Sequence, residues 1–281
     1  MPSCRIQEVN TVEIISADKL CCSYQNSKQP ALCSLSFSVN KGEMVSILGG
    51  CGSGKTALAK ALNVLLPLES GSLHISGNNA NDEKRVWQIR KSCGTVFQNL
   101  DSQLISPYVA DNVAFSARCF GADEARLDVL TRDALALVGM RGYERRAPQF
   151  LPPIYKLYTV LAGVLAAEPD VIVLDNALSA LSPLEKDAAR DMLKRINKRG
   201  TAILLLTDNA DDAAIAERVI LLHRGEKLAD DVPRAVLSHR VLMSRAGIAM
   251  PFAARVYNDL LDAGIAPDKC PLTPEELAAL L

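Results

Sequence analysis

Residues 44–56 read MVSILGGCGSGKT. The stretch MVSIL is a short apolar run of the kind that forms a buried strand, and Gly49 to Thr56 satisfy the spacing G-x-x-x-x-G-K-[ST]. The segment that follows, KTALAKALNVLL, carries apolar residues at helical spacing and stops at Pro67. Strand, glycine-rich loop and helix in that order are the setting in which this spacing makes a phosphate-binding loop. Gly49, Gly52 and Gly54 let the backbone curl so that its N–H groups face an anion, and the helix N-terminus adds its positive end. Lys55 would neutralise phosphate oxygens, Ser53 belongs to the cradle, and the Thr56 hydroxyl can hold magnesium. A second run, VIVLDN from Val171 to Asn176, ends an apolar strand in Asp175, where a metal-side carboxylate belongs in such a protein.

Outward from the loop, residues 12–48 read as strands broken by turns: VEII, KLCCSY, LSFSV, then MVSIL after the turn Asn40-Lys41-Gly42. Short strand signals, SLHIS and CGTVF, lie between Ser72 and Phe97. Residues from about 99 to 167 change character, being helical by period without a convincing strand. Alternation then returns: VIVLD, a helix from Pro183 to about Arg199, AILLLT, a short helix after Asp211, and VILLH before a turn at Gly225. This pattern predicts an α/β fold with a mainly parallel sheet covered on both faces. Beyond about residue 232 the chain is helical again, and TPEE at 273–276 predicts a capping box with Pro274 at the first helical position.

The chain has 281 residues, 49% hydrophobic and 22% charged, with net charge −1. That length holds one large domain plus an appendage, and the charge balance gives no footprint for nucleic acid. Its eight cysteines form no Cys-x-x-Cys pair and only three histidines are present, which points to reduced thiols rather than zinc or a disulfide framework. The opening MPSCRIQEVN lacks the apolar core of a signal peptide, and no run approaches the roughly 18 apolar residues that span a bilayer. Work at a membrane would require a partner.

These motifs, in this order, resemble the ATP-binding cassette (ABC) family, and within it the ATPase subunits of energy-coupling factor (ECF) importers. The resemblance rests on an aromatic at Tyr24 ahead of the loop, the loop itself, a Q-loop in TVFQNLDSQ with Gln98, the signature position after RAPQFL, the acid strand, and SALS where the D-loop belongs. AGIAMPFAARVYNDLLDAGI and LTPEELAALL are similar to the C-terminal helical extension of those subunits. The resemblance implies an ABC-type P-loop fold with an antiparallel β subdomain. It assigns 1–231 to the ATP-binding domain, with the helical insertion at about 99–167, and 232–281 to the extension. It further implies ATP and Mg²⁺ as ligands, Tyr24 stacked on adenine, and Thr56, Gln98 and Asp175 at the metal. The implied partners are a second ATPase subunit, paralogue or self, and a transmembrane T-type scaffold with a substrate-binding S component, at the cytoplasmic face of the cell membrane.

The sequence departs from that pattern where hydrolysis is performed. Asn176 stands where the family places a general-base glutamate, and an amide has no basicity near neutral pH. Asp208 occupies the switch-histidine position, putting an acid beside the γ-phosphate, or leaving it to cap a helix or to stand solvated where the repulsion is tolerated. Pro152, Pro153 and Ile154 replace a serine and two glycines, and proline has no N–H to donate. Ser182 ends the D-loop in place of an aspartate. The expectation is a subunit that binds Mg-ATP and hydrolyses it weakly or not at all. Two alternatives stay open on sequence: a fully active ATPase supplied with a base from elsewhere, and a soluble P-loop regulator without a transporter.

Overall fold

A computed structural model describes residues 12–25, 27, 29–265 and 269–280. Cys4 and the opening MPSCRIQEVN therefore lie outside the described residues. The core is a six-stranded sheet in the order β10-β9-β3-β8-β7-β6, formed by β3 (Met44–Leu48), β6 (Cys93–Val96), β7 (Val171–Asp175), β8 (Ala202–Thr207), β9 (Arg218–His223) and β10 (Glu226–Asp231). Five of these strands run parallel, and β10 pairs antiparallel with β9 at one edge. A second, antiparallel sheet has the order β2-β1-β4-β5, from β1 (Glu13–Cys22), β2 (Leu32–Asn40), β4 (Ser70–Ile75) and β5 (Asn78–Asn79).

Every residue of β7 and β8 is buried, which is why both read as continuous apolar runs rather than alternating ones. Ile172, Leu174, Ile203 and Leu205 face a core shared with the helical insertion. Their neighbours Val171, Val173, Ala202, Leu204 and Leu206 face the opposite core, completed by α1 (Lys55–Leu62), α2 (Val86–Ser92) and the antiparallel sheet. The insertion contains α3 (Val109–Cys119), α4 (Glu124–Leu137) and α5 (Pro153–Leu165), with no strand between Val96 and Val171. After β7 come α6 (Pro183–Asn197) and, after β8, the one-turn α7 (Ala210–Ala213).

The chain closes with α8 (Pro233–Leu237), α9 (Arg240–Ala246), α10 (Phe252–Asp262) and α11 (Pro274–Ala278). Val236, Leu237, Met243, Ala246, Ile248, Ala254 and Leu272 from this region pack with Leu48, Ala210, Ala213, Val219 and Leu221 into a third core. The C-terminal helices thus share apolar packing with the end of β3 and with the helix that follows β8. Arg218 ties the two sheets together, donating to Ser38 O at 3.1 Å while pairing with Glu43 at 3.0 Å and Asp230 at 2.5 Å.

Three local expectations are corrected. VEII and KLCCSY are one strand, β1, bent by register shifts on either side of Leu20, with Lys19 at φ 49°. The helix after the loop ends at Leu62, short of Pro67, because Asn63 leaves helical geometry and Val64 turns to φ 52°. At TPEE, Thr273 accepts from the Glu276 amide at 3.2 Å, but the Glu276 carboxylate accepts from Leu272 N and pairs with Arg234, so only half of the capping box forms.

Candidate functional site

The loop between β3 and α1 borders a cleft of about 420 Å³, lined among others by Tyr24, Gly52, Lys55, Thr56, Gln98, Asp175, Asn176 and Asp208. Its shape depends on missing side chains. A Cβ on Gly49 would meet Ser53 Oγ at 2.5 Å and Leu222 O at 2.6 Å. Gly54, at φ 104°, would press one against Ala31 O at 2.5 Å. The turn closes through Ser53 N donating to Gly50 O at 3.2 Å, and Gly225 N caps Ser53 O at 2.9 Å. The amides of Gly52, Gly54, Lys55, Thr56 and Ala57 find no acceptor among the described residues. A row of free N–H groups at the start of a helix is an anion cradle.

Lys55 is folded back on this cradle, its ammonium donating to Gly49 O at 2.5 Å and Gly50 O at 2.9 Å, with Ser53 Oγ at 3.4 Å. Burial pushes its pKa down, and the carboxylates of Asp208 and Asp175 push back. Thr56 Oγ1 donates to Asp175 Oδ1 at 3.3 Å, which joins the hydroxyl and the carboxylate into one pair at the end of β7. With Gln98 on the adjoining wall, the donors are all oxygens, a set that suits a hard cation holding substrate phosphate and water in its remaining positions. Among the described residues there is no group of three or more His, Cys, Asp or Glu side chains that could hold an ion without such help.

Asp175 is only 3% exposed, and its pKa is raised by burial, against the Thr56 hydrogen bond and the charges of Lys55 and Lys60. A carboxyl whose pKa is higher folded than unfolded favours the folded state most at low pH, so this destabilising effect is full once pH has risen through the raised value. Asp175→Asn should therefore stabilise the nucleotide-free chain near neutral pH, by about 0.5–2 kcal/mol, while weakening magnesium-dependent nucleotide binding. Urea unfolding at neutral and acid pH checks both the sign and its disappearance on acidification.

The Tyr24 ring stands on the cleft wall with the Lys60 ammonium 5.0 Å from its centroid. Gln98 is exposed, and the loop that carries it is fastened by a residue that sequence reading passed over. Gln103 accepts from Phe97 N at 3.0 Å and donates to Phe97 O at 2.9 Å and Asn99 O at 2.8 Å. The signal available was a second amide five residues after Gln98 in a polar loop.

Asn176 sits at φ 52°, its backbone N–H bonded to Leu206 O at 2.8 Å. Asparagine tolerates that left-handed geometry better than most residues. Asp208 follows β8 on the cleft rim. The alternative that it caps a helix is corrected: Asn209 is the cap of α7, accepting from Asp211 N at 2.8 Å and Asp212 N at 3.1 Å. Ser182 does cap α6, in a reciprocal box in which Glu185 N donates to Ser182 Oγ at 3.4 Å and Ser182 N donates to Glu185 Oε2 at 2.9 Å.

The N-terminus of α5 is the opposite of the loop cradle. Pro152 and Pro153 have no N–H, and the amides of Tyr155 and Lys156 both turn to Pro152 O, at 3.0 Å and 3.1 Å. Of the amides at this helix start, that of Ile154 finds no acceptor among the described residues. Phe150, just before this turn, is 85% exposed. The helix starts comfortably on proline and offers almost nothing to an anion.

The family profile described as ABC transporter matches residues 32–179. The energy-coupling factor transporter ATP-binding protein EcfA1 of Lacticaseibacillus paracasei is 35% identical over 269 residues, covering 95% of this chain and 96% of that one. The cobalt import ATP-binding protein CbiO of Syntrophus aciditrophicus is 32% identical, covering 86% and 87%. Among solved structures, cbiO1 of Clostridium perfringens, part of the ABC transporter complex cbiONQ, superposes with a TM-score of 0.76 at 25% identity, over 88% of this chain and 99% of that one.

Proposed function

The chain belongs to the ABC transporter family as an ATP-binding subunit of the ECF and cobalt-importer kind, and from that premise we propose that it binds Mg-ATP and turns it over weakly or not at all. The observation that carries this reading is the asymmetry between two helix starts. The amides at the head of α1 stand free around Lys55, whereas the head of α5 is stopped by Pro152 and Pro153.

In this reading the amides of Gly52 and of Gly54 to Ala57 hold the phosphate chain, and Lys55 leaves its carbonyl partners to meet it. Tyr24 offers its ring to the base. Thr56, Asp175 and Gln98 would hold magnesium, which supplies charge neutralisation on the phosphate oxygens when bound. Asn176 can orient a water but cannot take its proton, and loss of a positioned base costs about 10²- to 10⁴-fold in rate. In a pair of cassettes with each nucleotide between one loop and the opposing signature, this chain would weaken its own site through Asn176 and Asp208. It would weaken its partner's through Pro152, Pro153 and Ser182.

We assign residues 1–231 to the cassette and 232–281 to a C-terminal extension. The partners we propose are a second cassette subunit and a transmembrane T-type scaffold with an S component, which would hold the chain at the cytoplasmic face of the membrane. Among the described residues no helix is long and apolar enough to cross a bilayer, in keeping with attachment through partners.

The test is phosphate release by the purified chain, alone and with a candidate partner cassette, beside equilibrium binding of ATP. The expected result is saturable magnesium-dependent binding, lost in Lys55→Ala, with turnover more than about 10²-fold below a typical enzymatic rate of about 10 per second. Turnover of about one per second that Lys55→Ala abolishes would overturn the proposal.

A further inference from the structure

Three acids stand close together in TDNADD, Thr207 to Asp212, and the structure gives them different surroundings. Asp212 is buried and paired with Arg190 and Lys186 on α6. Asp211 lies near Phe252, at the start of α10, and within reach of the charges of Arg190 and Arg255. Asp208 is exposed and, among the described residues, takes part in no hydrogen bond and no ion pair within 4 Å. It lines the same cleft as Gly52, Lys55 and Thr56, and its charge acts on Lys55 across that cleft.

The cleft therefore sets two carboxylates, Asp175 and Asp208, against one ammonium, Lys55. Asp175 is bound to Thr56 and would be answered by a cation there. Asp208 has no other partner among the described residues. A phosphate added at the far end of the nucleotide chain gains from Lys55 and loses to Asp208, because like charges at short range repel with an energy that falls only as 1/r. On the nucleotide-site reading above, we propose that Asp208 is a specificity-determining residue that removes the preference for a triphosphate, so that the site holds a nucleoside diphosphate at least as tightly as the triphosphate.

The experiment is calorimetric titration of the full chain with Mg-ADP and with magnesium and a non-hydrolysable ATP analogue, for wild type, Asp208→Asn and Asp208→Glu. Melting curves confirm that each variant is folded. The expected result is an affinity ratio of triphosphate to diphosphate at or below one in wild type and in Asp208→Glu. In Asp208→Asn the ratio should move about five- to tenfold toward the triphosphate. Raising ionic strength from about 0.05 M to about 0.5 M should move the wild-type ratio in the same direction and leave that of Asp208→Asn nearly still. A merely structural role for Asp208 would change both affinities together without that salt dependence. A wild-type preference for the triphosphate that stays within about twofold in Asp208→Asn overturns the inference and leaves the proposed function standing. Folded wild-type chain that binds neither nucleotide sinks both.

Discussion

Phosphate release should rise by about 10²- to 10⁴-fold when the chain regains a base and a clamp together, as Asn176→Glu, Asp208→His, Pro152→Ser, Pro153→Gly, Ile154→Gly and Ser182→Asp in one polypeptide. The expectation rests on how the deficits are distributed. In a self-paired chain each nucleotide would have Asn176 and Asp208 on one side and the proline-stopped start of α5 on the other. Groups that act as a unit are strongly non-additive, so either half-set alone should recover little. Asn176→Glu by itself gives a proton acceptor facing a phosphate that α5 cannot grip. The α5 substitutions alone give a grip with no acceptor. Asn176→Glu also trades a residue suited to φ 52° for one that is not, and should lower stability by about 1 kcal/mol. Single-turnover phosphate release across the two half-sets and the full set decides it. A full set no faster than wild type would mean that hydrolysis is limited elsewhere and that these positions do not carry the deficit.

What could be read from the chain was what is local or periodic. The loop announced itself by spacing, and Asp175 by ending a wholly apolar strand whose two faces pack on different cores. The shortage of amide donors at the start of α5 was legible because a missing N–H is a property of proline itself, wherever the helix lies. Less visible were features set by partners far along the chain. The bend in β1 depends on pairing with β2 and β4, and its polar middle, Ser16 to Lys19, reads as a break when seen alone. Gln103 resembles any loop amide until its three bonds to Phe97 and Asn99 are formed. In TDNADD one residue had to cap α7, and the choice of Asn209 over Asp208 follows from where α7 begins, at Ala210 rather than after Asp211, while β8 ends at Thr207 as read.

The same run holds a buried ion pair whose loss should have a large effect on stability. Asp212, with its side chain 2% exposed, receives Arg190 Nη2 at 2.5 Å and Arg190 Nε at 3.0 Å on one oxygen and Lys186 Nζ at 3.5 Å on the other. This joins α7, directly after the cleft rim, to α6, which Ser182 starts. The two ends of the pair are not equivalent. Arg190 keeps Asp187 at 2.8 Å and some access to water, so in Asp212→Ala the guanidinium retains a partner. In Arg190→Ala the buried carboxylate is left with one long interaction to Lys186. Removing one member of a buried pair costs about 3–5 kcal/mol when the other is stranded. Arg190→Ala should fall in that range, and Asp212→Ala should cost about 1–3 kcal/mol, nearer the price of an ordinary buried polar deletion. Chemical unfolding of the two single variants and the double variant checks the order. With both partners gone no charge is stranded, so the double variant should be less destabilised than Arg190→Ala alone. Equal costs for the two single changes would show that water reaches Asp212 and that the clamp contributes no more than a surface ion pair.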